Sequence, residues 1–181
     1  MRWITAFLLL AAQEPPRKVT FKVEHINLET RKTVPLKPDE AKSFAEELQE
    51  LPAVKEAACT ENTATVTLKP GAVLKLSSLR STGKKTLSAD GGKPVIVFNT
   101  LKLEGKVTLT LNVAKNADKV KDALKESGFK DVTESGNNYE GVVKTPVDVI
   151  TVVKKVAAKT GVEYKVFEIL KDVAWHAPAA P

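Results

Sequence analysis

Few residues in this chain carry a thiol or an imidazole, the side chains most often used for nucleophilic catalysis and for binding soft or borderline metals. Its 181 residues include one cysteine, Cys59, and two histidines, His25 and His176. Thiolate and imidazole are the ligands that soft and borderline transition metals prefer, so Cys59 and His25 are the weak candidates for a metal site. A single cysteine also excludes an intramolecular disulfide, so the fold must be held together by packing.

The strand patterns predict that these side chains lie apart. Alternating apolar residues over 19–23 predict a first strand that ends near His25, and Cys59 ends a second strand. If a third strand lies between these two, it separates them by about 10 Å. We therefore expect Cys59 to be a small apolar core residue and His25 to be semi-buried at its strand end. His176 is expected in a mobile C-terminal tail.

Other catalytic arrangements are not evident in the sequence. It has no Ser/His/acid set in a recognisable context, no phosphate-binding loop and no distinctive pair of carboxylates. The Gly91-Gly92 pair is predicted to form a turn rather than a phosphate cradle. The sequence therefore favours a protein that is not an enzyme and has no resident cofactor, with at most weak transition-metal binding.

The elements that must position these residues occur twice along the chain. Lys106–Leu111 repeats the pattern of Lys18–Val23, and each copy is followed by a helix, two strands, a second helix and a last strand. This order favours an α+β fold of two ferredoxin-like βαββαβ units in tandem. Each unit is predicted to be an antiparallel sheet with two helices on one face.

The repeat also sets the predicted domain boundaries. The apolar run Trp3–Ala12 follows Arg2 and is typical of a secretory signal, too short to span a bilayer stably. We therefore expect export, and no membrane span once the signal is removed. The predicted segments are 1–16 (signal peptide and linker), 17–99 (first unit with an added hairpin), 104–173 (second unit) and 174–181 (flexible tail).

Periodicity and turn residues predict where the elements begin and end. Pro38 opens the first helix, whose apolar stripe is Ala41, Phe44, Leu48 and Leu51. Further predicted elements include a closing strand of the first unit at Thr86–Ala89, a hairpin turn at Ala89–Lys93, a return strand at Pro94–Phe98, a last helix opened by Pro146, and a last strand at Val162–Ile169.

Two stretches of the first unit resemble a heavy-metal-associated domain. Phe44–Ala57 contains a helix that ends in a Leu-Pro-Ala-Val step, and Asn62–Gly71 contains a Thr-Ala-Thr-Val strand followed by Pro-Gly. The second unit is similar in pattern over Val120–Leu124, Phe129–Val132 and Thr145–Asp148. The resemblance implies a tandem of heavy-metal-associated-like domains.

In that family a Cys-x-x-Cys pair between the first strand and the first helix holds a soft ion such as Cu(I). Counting back from the helices places the two positions at Lys37 and Glu40 in the first unit, and at Val113 and Asn116 in the second. None of the four supplies sulfur; lysine is cationic, and valine has no ligand atom. The metal loops that the family implies are therefore degenerate in this chain.

The charge of the chain gives no specific partner. The formal net charge is +6, but the lysines are spread along the whole sequence without interleaved aromatic residues. The row Thr108, Thr110 and Asn112 also lacks the aromatics that stack on RNA bases in domains of this topology. This pattern favours a solvated surface, and we expect no specific nucleic-acid binding.

The sequence favours a non-catalytic binding or interaction module. Export places it in the periplasm or outside the cell, with an unknown protein partner in the cell envelope. One alternative is a metal-ion-binding or metal-transfer protein that uses Cys59, His25 or carboxylates. A second alternative is a small-molecule regulatory module, which would bind its ligand at the interface between the two units.

Overall fold

The protein is an α+β fold with two antiparallel sheets. Its structure, a computed structural model, describes residues 17–27, 30, 32–86, 92–113 and 116–179. The predicted signal segment lies outside the described residues. None of the helices in the described part of the chain is long and apolar enough to cross a membrane.

The described residues of the first half form six strands and two helices. In chain order they are β1 (Lys18–Ile26), β2 (Thr33–Val34), α1 (Pro38–Gln49), β3 (Val54–Cys59), β4 (Thr63–Leu68), β5 (Val73–Lys75), α2 (Leu76–Arg80) and β6 (Lys93–Ile96). A single 3-10 turn, Phe98–Thr100, leads into the second half.

Where the structure describes the second half, it contains four strands and three helices. They are β7 (Lys102–Leu111), α3 (Ala117–Glu126), β8 (Phe129–Ser135), β9 (Asn138–Asp148), α4 (Val149–Thr160), α5 (Val166–Ile169) and β10 (Leu170–His176).

The first sheet is built around β1, which is long enough to take different partners along its length. The N-terminal part of β1 pairs with β4, and β4 pairs with β3. Near its end His25 pairs with Val34 of β2 on one edge and with Pro94 of β6 on the other. The predicted return strand corresponds to β6, which extends the first sheet but ends at Ile96, because Phe98 begins the 3-10 turn. The predicted closing strand is wrong at its start, because Thr86 is in a loop; the rest of it lies outside the described residues.

The second sheet joins the two halves of the chain. Its order is β5-β10-β7-β9-β8, so β5 of the first half forms one edge. Leu74 of β5 pairs with Trp175 of β10. At the start of α2, the backbone N–H and the hydroxyl of Ser77 donate to the carboxylate of Asp172, at 3.0 and 2.7 Å. Buried apolar residues from both halves then form one continuous core.

Three predicted boundaries in the second half are wrong. Pro146 does not open a helix; it lies within β9, and α4 begins at Val149 after the strand has ended. Val162–Ile169 is not a strand, because residues 162–165 are irregular and the remainder forms α5. The last strand follows it and runs to His176, three residues into the region that we predicted to be a tail.

Helix α1 begins and packs as its sequence predicts. Pro38 is in the first turn, where its missing N–H costs no hydrogen bond, and acidic residues at positions 39 and 40 suit the positive end of the helix dipole. Ala41, Phe44 and Leu48 are each at most 3% exposed, which confirms these three members of the predicted stripe. Leu51 lies beyond the end of the helix at Gln49 and is half-buried. This helix positions Lys37 and Glu40, the first pair of residues that the resemblance singled out.

Candidate functional site

Lys37 and Glu40, the first pair of positions predicted from the resemblance, lie at the start of α1. Lys37 is the residue before the helix and is exposed. Its backbone N–H donates to Oε2 of Glu40 at 2.9 Å, so the carboxylate satisfies a donor that the helix itself leaves free. Both positions thus have a structural task that depends on a carboxylate oxygen rather than on sulfur.

The same carboxylate faces His25. Oε2 of Glu40 lies 3.5 Å from Nδ1 of His25, and these residues are 7% and 3% exposed. On its other side the His25 ring contacts Gly92: a Cβ added there would lie 2.1 Å from Nε2 and 2.5 Å from the carbonyl oxygen of Ile26. Our prediction of a semi-buried His25 is therefore too cautious, because the ring is enclosed between the helix start and β6.

Cys59 and His25 are not brought together. They share one face of the first sheet, since Cys59 pairs with Ala64 and Ala64 pairs with Phe21, which alternates in phase with His25. However, β4 separates their strands by about 10 Å, and His25 lies four residues beyond Phe21, a further 13 Å or so along β1. One ion cannot contact both side chains in this arrangement.

The Cys59 thiol has the properties of a packed, protonated group. It is half-buried against the core, and its Sγ lies 3.2 Å from the carbonyl oxygen of Thr60. Burial raises the pKa of the thiol to about 11, because the thiolate would lose hydration. The metal-binding form of cysteine is the thiolate, so this environment opposes a ligand role.

Alkylation of Cys59 by iodoacetamide is expected to be slow in the folded protein. At pH 8 a thiol with a pKa near 11 is about 0.1% ionised, whereas an ordinary cysteine is about a quarter ionised. We expect labelling about two orders of magnitude slower than in urea, accelerating with pH up to about 11. Mass spectrometry of timed samples measures both rates; equal rates at pH 8 would show that the thiol is not shielded.

The second pair of loop positions also has structural contacts. Val113 is 5% exposed, and the side-chain amide of Asn116 donates to the carbonyl of Thr160 at 3.4 Å. Both residues line a shallow cleft of about 550 Å³ beside Tyr139. The cleft carboxylate of Glu134 is paired with the ammonium of Lys121 at 2.8 Å. Among the described residues, no group of three His, Cys, Asp or Glu side chains could hold a metal ion.

His176 lies in a place that the sequence did not predict. It is the last residue of β10 and pairs with Val73, so it belongs to the second sheet. Its Nε2 lies 2.8 Å from Oγ1 of Thr108 and 3.9 Å from Oε2 of Glu140, which in turn has a carboxylate oxygen 2.8 Å from Nζ of Lys106. Thr108 and Glu140 both approach the same ring nitrogen. A nucleophile–base–acid relay would need them on opposite ring nitrogens, so this is not a catalytic triad.

Stability is expected to depend on His176 in mildly acidic solution. Burial lowers the pKa of His176 below its ordinary 6.5; Glu140 opposes this, while Lys106 and Arg17 add to it. His176 therefore binds a proton more readily in the unfolded chain than in the folded one. Its protonation lowers the free energy of unfolding as the pH falls through 6.5, and it has no such effect well above pH 6.5. We expect an NMR titration midpoint below 6.5, and a shallower loss of stability between pH 7 and 5 in His176→Gln. A midpoint above 6.5 would contradict the assignment.

An apolar pocket lies where α5 of the second half meets the first half. It has a volume of about 190 Å³, and its lining includes Phe44, Leu76 and Leu79, each 1% exposed. At its rim the rings of Phe98 and Phe167 lie 5.0 Å apart and are tilted by 55°. This pocket is discontinuous in sequence.

The guanidinium of Arg80 completes the rim. Its Cζ lies 5.4 Å from the ring centroid of Phe98 and 5.1 Å from that of Phe167. These are cation–π distances, so the cation is held against two aromatic faces. The sequence alone offers no sign of this cluster, because Phe98 lies 18 positions after Arg80 and Phe167 lies another 69 positions further on. Among the described lining residues of the pocket, Phe167 is the most exposed aromatic, at 58% exposure.

Comparisons with known proteins found no matching family model, no similar curated protein and no similar solved structure. The chemistry of the described residues therefore carries the functional interpretation. It contains a buried His–Glu pair, a protonated thiol, and one aromatic pocket with a cationic rim.

Proposed function

We propose that this chain is a non-catalytic binding or interaction module, exported from the cytoplasm, whose metal loops no longer hold metal. The proposal keeps the heavy-metal-associated ancestry that the sequence resembles. The two halves are ferredoxin-like units. The protein binds a partner in the cell envelope through its surface and has no catalytic centre.

The strand orders support the assignment to two related units. In the first sheet β6, β1, β4 and β3 are neighbours in that order, and in the second sheet β10, β7, β9 and β8 are. When the added strands β2 and β5 of the first half are left out, each half has four strands, and both orders read fourth, first, third, second. All of these pairs are antiparallel. A split βαβ unit has this arrangement. In the first half β5 is an addition that pairs with the second sheet.

The main support for a lost metal site is that the four positions of the predicted metal loops make structural contacts instead. Glu40 accepts from the backbone of Lys37 and faces His25, Val113 is buried, and Asn116 contacts the helix end at Thr160. A soft ion needs two polarizable sulfur ligands on one side of a loop. Replacing the groups present with thiols would remove a helix cap from one half and an apolar core contact from the other.

Calorimetric titration with Zn(II) and Cu(II) tests the metal part of the proposal. We expect no stoichiometric binding tighter than about 10 µM, which corresponds to roughly 7 kcal/mol. The matched proteins are the wild type, Cys59→Ala and the double variant His25→Ala/Cys59→Ala, each checked for folding by circular dichroism. Micromolar one-to-one binding that the double variant loses would support the metal-binding alternative and overturn the proposal.

A further inference from the structure

We propose that the pocket at Phe98, Phe167 and Arg80 docks an acidic protein segment that inserts one aromatic or large aliphatic side chain. This inference rests on the proposed role as an interaction module, and it names the surface and the chemistry of the partner. We call the pocket and its rim the aromatic–arginine pocket.

The size of the pocket fits one side chain. Its volume of about 190 Å³ slightly exceeds the roughly 150 Å³ of a cavity that binds benzene. Pockets for drug-sized ligands are larger, about 300–1,000 Å³. An anchor side chain from a protein partner matches this volume, and such anchors in small desolvated pockets carry much of the binding energy of interfaces.

The side chains at the rim of the pocket are preorganised for binding. Phe98 and Phe167 make a tilted aromatic pair, and Arg80 lies over both rings at little more than 5 Å. Holding the guanidinium in place reduces the entropy that a partner must remove. Phe167, at 58% exposure, leaves an aromatic surface in water that an incoming apolar side chain would cover.

Charge selects the kind of partner. The described lining of the pocket includes the cations Arg80 and Lys93 and no carboxylate. The chain as a whole carries a net charge of +6, which adds a long-range attraction for acidic surfaces. A planar guanidinium binds carboxylates through two parallel hydrogen bonds, so an acidic residue next to the anchor has a ready partner. We therefore infer an acidic segment rather than a basic or neutral one.

The test is an NMR titration of the full chain, labelled with ¹⁵N, with blocked pentapeptides. The probe has a central phenylalanine flanked by two acidic residues on each side; one control peptide has alanine at the centre and another has lysines as flanks. At about 1 mM probe, we expect saturable shifts at the amides of Arg80, Lys93 and Phe167, and none with either control peptide. N-acetylphenylalanine is titrated as a small-molecule comparison.

Surface variants distinguish specific docking at the pocket from non-specific binding of the peptide. Arg80→Ala and Phe167→Ala are each expected to weaken the probe at least about ten-fold. Val34→Ala, another exposed apolar residue at 46% exposure, is the matched control and should bind as the wild type does. Circular dichroism confirms that each variant is folded.

The outcomes are decisive in both directions. Absence of shifts at the pocket, equal shifts with the alanine peptide, or unchanged affinity in Arg80→Ala would overturn the docking proposal. N-acetylphenylalanine binding as tightly as the pentapeptide would replace it with a small-molecule site. Stoichiometric Zn(II) or Cu(II) binding would instead overturn the proposed function, whatever the peptides do, so the two failures are distinguishable.

Discussion

Glu47→Ala is expected to lower the free energy of unfolding by about 3 kcal/mol, because the carboxylate ties a loop to helix α1. Glu47 is 8% exposed, and its two oxygens accept hydrogen bonds from four consecutive backbone N–H groups, over 83–86. The hydroxyl of Thr86 adds a fifth bond. A buried anion cradled by successive amides is strongly stabilised, and its removal leaves those donors without their acceptor.

The loop is shaped to make these contacts. Gly83 has a φ of +77°, and a Cβ there would lie 2.7 Å from the backbone oxygen of Pro94, so only glycine fits. The loop at 83–86 therefore packs closely against Pro94 of β6, which also lines the aromatic–arginine pocket.

Urea denaturation followed by circular dichroism measures the effect of Glu47→Ala. The neighbouring Glu46→Ala is the matched control, because position 46 is exposed on the same helix, and we expect a change within about 0.5 kcal/mol there. The loss of stability in Glu47→Gln should lie between those of Glu47→Ala and Glu46→Ala. Glutamine keeps one acceptor oxygen, but its NH₂ group faces backbone N–H donors of the loop and cannot accept from them. A loss below about 1 kcal/mol in Glu47→Ala would show that the loop does not depend on the carboxylate.

Trp175→Ala is expected to have the largest effect, lowering the free energy of unfolding by about 3–5 kcal/mol. Trp175 is 1% exposed, and its indole N–H donates to the carbonyl of Lys102 at 3.1 Å. On β10 it lies between Leu74 of β5 and Val107 of β7. The truncation therefore opens a cavity at the seam where the first half joins the second sheet.

Trp175→Phe separates packing from hydrogen bonding at this seam. It keeps an aromatic ring but leaves the Lys102 carbonyl without the indole donor, so we expect a loss of about 1–2 kcal/mol. Both variants should unfold in one transition, as the wild type should, because the core is continuous between the halves. Two separate transitions in the wild type, with Trp175→Ala affecting only one, would contradict a shared core.

The sequence predicted the local elements better than the contacts between them. The stripe of α1 and the alternation of β1 are local patterns, and burial confirms both. The pairing of β5 with β10 joins residues about 100 positions apart, and the three residues of β5 contain no local pattern that predicts this partner. The prediction that His176 lies in a tail was wrong for the same reason, since it used local sequence alone. A strand of mixed polarity that precedes a proline-rich end resembles a tail.

The structural role of individual acids was also beyond sequence reasoning. Glu46 and Glu47 are adjacent and chemically identical, yet only Glu47 faces the loop at 83–86 and is buried. Glu40 was identified only as a position where a sulfur ligand is missing, whereas it caps α1 and faces His25. Such roles follow from the tertiary arrangement, which sets the neighbours of a side chain independently of its type.

Competition for Cu(I) against a chromophoric chelator is the most direct measurement of the central claim, since Cu(I) is the soft ion that thiolate loops hold. Wild-type protein and Cys59→Ser are titrated in parallel under anaerobic reducing conditions. We predict that neither protein withdraws Cu(I) from the chelator, because Lys37, Glu40, Val113 and Asn116 supply no sulfur and the thiol of Cys59 is protonated. Withdrawal of one equivalent by the wild type, lost in Cys59→Ser, would contradict the account.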